Sequence, residues 1–90
     1  MAFKAVRIVA KGRVQGVGFR AWCCSAARNL NLTGWVRNEE NGDVSAVIEG
    51  PEEQISEMLA LLRHGPPRAH VDSVDVFPST SPQRTTFVTE

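Results

Sequence analysis

The sequence predicts an α+β fold, a two-layer sandwich in which an antiparallel sheet carries two helices on one face. Three observations predict it. Runs of strand character and two helical stripes follow one another in the order β-α-β-β-α-β, with a short closing run. The second and third strand runs are joined by a turn too short for anything but antiparallel pairing. Ninety residues bury roughly 60–65% of their unfolded surface, enough for one core and no second lobe, so residues 1–90 read as a single domain. Neither helical stripe can be buried alone, and a sheet with one apolar face receives both.

Each element has its own local signal. Val6, Ile8 and Ala10 alternate with Arg7, Val9 and Lys11, which predicts a strand over Phe3 to Arg13. The glycine-rich stretch from Gly12 to Gly18 follows. Phe19, Trp22, Cys23, Ala26, Ala27 and Leu30 then form one apolar stripe at helical spacing, closed near Asn31, which tolerates the left-handed conformation. Thr33–Asn38 and Asp43–Glu49 flank Glu39-Glu40-Asn41-Gly42, and Asn-Gly between β-type runs predicts a hairpin, because both residues tolerate positive φ. Gly50-Pro51 opens a second helix, with Pro51 expected at its first position, Glu52 and Glu53 complementing the positive helix start, and Ile55, Met58, Leu59 and Leu62 as its buried stripe. Gly65-Pro66-Pro67 ends it. Val71, Val74 and Val76-Phe77 mark a fourth strand, Pro78 to Arg84 a polar loop, and Thr85–Thr89 a short closing strand. The result is a ferredoxin-like sandwich.

Net charge is zero, with ten basic and ten acidic residues, but the signs are segregated: residues 1–38 carry +7 and no acid, and residues 39–90 carry −7. That pattern suits a locally positive site for a small anion better than a surface for a long polyanion. Eight of the ten basic residues are Arg, the side chain that forks onto phosphate or carboxylate oxygens. The adjacent Cys23 and Cys24 would form a strained ring if bridged, so reduced thiols are expected, with Cys23 structural. Two distant histidines add too few ligands for a metal site. No apolar run approaches the roughly 20 residues of a membrane span, and Met1-Ala2-Phe3-Lys4 lacks a signal-peptide core, which predicts a cytoplasmic protein.

A strand, a glycine loop and a helix start together gather backbone N–H groups around an anion, because the first helical N–H groups have no intrahelical partner and the helix dipole adds positive potential. Gly16 and Gly18 let the backbone turn its amides inward, and Arg20 stands just beyond them. Gly18-Phe19-Arg20 lacks the Lys-Ser/Thr end of a nucleotide P-loop. Gly16, Gly18 and Ala21 fit a dinucleotide fingerprint, yet that motif needs a parallel crossover where this chain has a hairpin. An RNA-recognition module shares the topology, but its aromatics lie mid-strand on an open sheet, whereas Phe19 and Trp22 fall on a buried stripe.

Gly12-Arg13-Val14-Gln15-Gly16-Val17-Gly18-Phe19-Arg20, with Leu32-Thr33-Gly34-Trp35-Val36-Arg37-Asn38 and the turn Asn41-Gly42-Asp43-Val44, resembles the two signature blocks of the acylphosphatase family. The spacing between the blocks and the downstream Gly50 also fit, so the resemblance covers nearly the whole chain. Asn31, Asn41 and Glu39 depart from the family's usual residues without touching the central motif. The resemblance implies hydrolysis of carboxyl-phosphate mixed anhydrides to carboxylate and phosphate, with no metal, no cofactor and no phosphoenzyme. It also implies that the amides of Gln15, Gly16, Val17, Gly18 and Phe19 and the guanidinium of Arg20 hold the phosphoryl group, while Asn38 orients the attacking water.

These residue types suit the chemistry on their own terms. An acyl phosphate has a good leaving group and needs charge neutralisation and an aligned water more than a strong base. Asn38 does not titrate and can aim water without taking its proton. Glu39 and Glu40 are expected to point into the hairpin turn, with their negative charge beside the site. The alternative function is a non-catalytic module binding phosphate or acyl phosphate, which would not need Asn38. The expected partners are a small-molecule acyl phosphate and, as competing anions, inorganic phosphate or sulfate; nucleic acid and membrane are not expected, and the chain is expected to be a monomer.

Overall fold

The computed structural model describes residues 3–90; Met1 and Ala2, the first residues of the amino-terminal stretch read for a leader, lie outside the described residues. Seven elements follow in order: β1 (Phe3–Arg13), α1 (Phe19–Asn29), β2 (Thr33–Asn38), β3 (Val44–Pro51), α2 (Glu52–His64), β4 (His70–Pro78) and β5 (Phe87–Thr89). The sheet order is β4-β1-β3-β2-β5. Period-two alternation decides its faces. Val6, Ile8 and Ala10 of β1 lie opposite Ile48, Ala46 and Val44 of β3, and all are buried on the side that α1 and α2 cover. Phe19, Cys23 and Ala27 of α1 and Ile55, Met58 and Leu62 of α2 complete that core. Each fully buried aliphatic or Phe side chain contributes about 1.5–3 kcal/mol.

Four strands pair antiparallel as expected, but β5 runs parallel to β2, so the sheet is mixed. The connection after β4 explains this. Ser79 N–H bonds the Ala5 carbonyl, the Ser81 hydroxyl donates to Glu49 Oε1 at 2.8 Å, and Gly34 N–H bonds the Thr86 carbonyl. The chain therefore crosses one end of the sheet, from β4 past β1 and β3, and reaches the outer edge of β2 at the end where β2 begins. From there it can only run alongside β2 in the same direction. Thr85 and Thr86, expected in the closing strand, still belong to this crossing, and pairing starts at Phe87.

One further expectation is corrected. Pro51 is the last residue of β3, opposite Phe3, and the N-cap of α2 with φ −60° and ψ 142°, so the helix begins one residue later, at Glu52. The hairpin turn has positive φ at Gly42 (97°) but not at Asn41, because it is a four-residue loop in which Glu39 N–H bonds the Asp43 carbonyl and Gly42 N–H the Glu39 carbonyl. Asn41 uses its side chain instead, accepting the Asp43 N–H at 3.0 Å. Asn31 has the left-handed φ, 58°, expected just beyond α1. Among the described residues no helix is long and apolar enough to cross a membrane.

Candidate active site

β1 ends at Arg13 and α1 begins at Phe19, leaving residues 14–18 as the loop between them. Val14 and Val17 are buried and pin the loop to the core, while Gly16 and Gly18 are exposed. Both glycines have left-handed φ, 73° and 79°, and a Cβ built on either meets open space. These two residues are thus demanded by backbone conformation and not by packing. Gly18 caps α1 without a side-chain hydrogen bond, and its carbonyl accepts the Trp22 N–H at 3.1 Å. Among the described residues, no acceptor receives a main-chain N–H from residues 15–18, so these backbone donors are available to an anion at the positive end of α1.

Arg20 is exposed on the first turn of α1, where its Nη1 donates to the Glu90 carbonyl at 3.4 Å. Glu90 N–H in turn bonds the Val36 carbonyl at 2.8 Å, so the guanidinium lies beside the chain that flanks the last part of β2. Asn38 ends β2 opposite Val44. It shares its face with Val36 and Val44, the face that carries α1, and it is exposed where they are buried. Arg20 and Asn38 share no hydrogen bond among the described residues; Arg20 reaches the Glu90 carbonyl, and Asn38 follows closely on Val36, whose carbonyl accepts the Glu90 N–H.

Gln15 supplies a link that sequence reasoning missed. Its Nε2 donates to the Glu39 carbonyl at 2.8 Å and to the Asp43 carbonyl at 2.9 Å, tying the glycine loop to the turn that follows Asn38. Both acceptors are main-chain atoms far along the sequence, so no side-chain pattern could have revealed them.

Glu39 departs from its expected place. Its carboxylate does not point into the turn but lies over the opposite face of the sheet, where Oε2 accepts from the fully buried Ser45 hydroxyl and from Arg37 Nε, the latter at 2.9 Å. The Ser45 and Arg37 hydrogen bonds, with a smaller attraction from Arg7, hold its carboxyl below the usual value. The Glu39 charge is therefore turned away from the site and held by Ser45 and Arg37. Arg37 also stacks over Trp35, 4.6 Å from the ring centroid, on that same face.

Cys23 is buried in the core, and burial, with a lesser contribution from Cys24, pushes its thiol up to about 12. Cys24 is half-buried, its Sγ 3.3 Å from the Phe87 carbonyl, which also accepts Arg28 Nε at 2.9 Å. Both thiols are free. Among the described residues no three His, Cys, Asp or Glu side chains gather where a metal ion could be held. A concavity of about 530 Å³ on the open face of the sheet, lined by Arg7, Lys11, Asp75 and Phe77 among others, lies across the sheet from Asn38.

Comparison with known proteins gives the family and the fold. The acylphosphatase family model matches residues 6–89. An acylphosphatase of Rhizorhabdus wittichii is 53% identical over 72 residues, 80% of this chain and 73% of that protein. The structure of an acylphosphatase from Coxiella burnetii superposes with a TM-score of 0.93 at 33% identity, covering 98% of this chain and 93% of that one. The crystal structure of full-length HypF, solved in its phosphate- and nucleotide-bound form, matches with a TM-score of 0.88 at 25% identity, over 99% of this chain but only 12% of that one. A family match that runs from β1 through β5, and a relative sharing half its residues over most of both chains, leave one assignment: this chain belongs to the acylphosphatase family and is a hydrolase acting on acyl phosphates.

Proposed function

We propose that the main-chain amides of Gln15, Gly16, Val17, Gly18 and Phe19 and the guanidinium of Arg20 grip the phosphoryl group of a carboxyl-phosphate anhydride, while the Asn38 carboxamide orients the attacking water. The observation that carries this reading is the pairing of Asn38 with Val44, which puts the carboxamide on the α1 side of the sheet, with the glycine loop tied to the adjoining turn. Water attacks phosphorus, the bond from phosphorus to the acyl oxygen breaks, and carboxylate leaves. Fixed N–H dipoles and one forked cation neutralise the charge that develops on the phosphoryl oxygens, so the scheme needs neither a metal nor a phosphoenzyme.

The water's proton passes to a phosphoryl oxygen of the substrate. Asn38 has no lone pair basic enough to take it, and the Glu39 carboxylate is committed to Ser45 and Arg37 on the other face. Activity then follows ionisation of the substrate, near pH ~6 by analogy with phosphate monoesters. The pH profile of kcat/KM is expected to be the same in Glu39→Gln and Glu40→Gln as in the parent; a displaced profile assigns the proton to a carboxylate.

The decisive assay follows hydrolysis of an aryl acyl phosphate by loss of absorbance with a chelator present. Arg20→Ala, Arg20→Lys and Asn38→Ala are each expected to lose about 10²–10³-fold in turnover, as removal of one oxyanion donor typically does, with unchanged melting. Turnover retained by Arg20→Lys removes the role of the fork; turnover retained by Asn38→Ala removes the water-positioning role.

A further inference from the structure

We infer that the Gln15 side chain is a positioning residue for this reaction: it sets the distance between the phosphate loop and Asn38. The inference rests on the reading of Asn38 given above and deepens it. A carboxamide nitrogen carries two hydrogens, and in Gln15 both are committed, to the Glu39 carbonyl at 2.8 Å and the Asp43 carbonyl at 2.9 Å. Glu39 follows Asn38 directly, and Asp43 directly precedes Val44, the residue paired with Asn38. One NH₂ group therefore clasps both sides of the last rung of the hairpin. The two carbonyls already accept the turn's own bonds, Asp43 from Glu39 N–H at 2.8 Å and Glu39 from Gly42 N–H at 3.2 Å, so the clasp engages the turn in its closed form.

The same residue belongs to the loop whose amides face the anion, and Gly16 comes next. Between the group that fixes phosphorus and the group that aims water there is thus a single short side chain rather than a long path through the core. Reaction geometry is sensitive at this scale, since a misplacement of about 1 Å can cost about 100-fold in rate. Any replacement other than proline keeps the main-chain N–H at position 15, so losing the side chain should loosen the aim of the water and leave the grip on phosphate in place.

The test compares Gln15→Met, which keeps the length and removes both donors, with Asn38→Ala and with the double variant. Readouts are kcat, competitive inhibition by inorganic phosphate, and melting. Gln15→Met is expected to lose roughly 10- to 100-fold in kcat with phosphate inhibition unchanged, and to cost nothing further in the Asn38→Ala background, because a residue acting through Asn38 has nothing left to position. Gln15→Lys, which restores donors, should recover most of the loss. If Gln15→Met does not fold, Gln15→Asn, one methylene too short to reach both carbonyls, takes its place with the same expectations. Additive losses in the double variant, or phosphate inhibition that weakens in step with kcat, overturn the inference while leaving Asn38 in its role. Parental turnover by Asn38→Ala overturns both.

Discussion

Adjacent residues of this chain have divergent chemistry because extended and helical backbones send neighbours in different directions. Cys23 faces the core, where its thiol is pushed up to about 12, and Cys24 faces the rim. An acid whose folded pKa is raised contributes stability that is complete below its unfolded value, about 8.5, and is lost as pH climbs from there towards the folded value. Melting is therefore expected to fall above pH ~9, and this alkaline slope should flatten in Cys23→Ala. At neutral pH a thiol reagent should modify at most one cysteine in the native chain and both after unfolding. Asn38 and Glu39 are a second such pair, with the carboxamide on the α1 side and the carboxylate against Ser45. The lowered pKa of Glu39 has the opposite sign, giving stability present above the ordinary carboxyl range and lost in acid. Glu39→Gln should therefore melt below the parent at pH 7, with the gap closing below about pH 4. Period-two alternation past Arg37 already put residues 38 and 39 on opposite faces, so the direction of Glu39 was legible in the sequence; that Ser45 and Arg37 would hold it there was not, because it depends on the register with β3.

Among the elements, the sheet tolerates least where backbones cross closely. Gly34 of β2 has φ 140°, and a Cβ there would stand 1.9 Å from the Val47 carbonyl oxygen of β3, whereas a Cβ at Gly18 meets nothing within 4 Å. Gly34→Ala is expected to cost about 3 kcal/mol or more and Gly18→Ala about 1–2 kcal/mol of conformational strain, an ordering that urea melts will check. The strands and helices themselves were readable from Val6, Ile8 and Ala10 and from the Phe19–Leu30 stripe, since burial of one face leaves a period in the sequence. Ends were less so. Pro51 serves equally as a helix start or as the last residue of a strand, here the central one, and only its pairing with Phe3 decides. The direction of β5 was also hidden, because three residues carry no signal for parallel or antiparallel pairing and the route of the preceding connection determines it. The glycine loop, Arg20 and Asn38 stood out as residue types; the Gln15 clasp, made to main-chain oxygens, left no trace.

Across the whole molecule, the positive first stretch and the negative remainder are interleaved, since β1 lies between β4 and β3. Lys4 pairs with Glu52 at 3.6 Å and Lys11 with Asp75 at 3.7 Å, all half-exposed, so each pair is worth no more than about 1 kcal/mol. The charge segregation bears on capture of the substrate more than on stability. Raising ionic strength from about 0.1 M to 1 M shortens the screening length from about 10 Å to 3 Å, and kcat/KM for an anionic acyl phosphate should fall with it. Sulfate should lower it further than chloride at matched ionic strength, by competing for the loop; equal effects of the two salts would mean screening alone. The parallel placement of β5 also bears on biosynthesis. The strand that ends in Asn38 is made early, yet its outer rim stays bare until β5 has also been made. A product lacking β5 would present a row of unmet amides and carbonyls to other copies, so the docking of three residues is what shields this rim from aggregation.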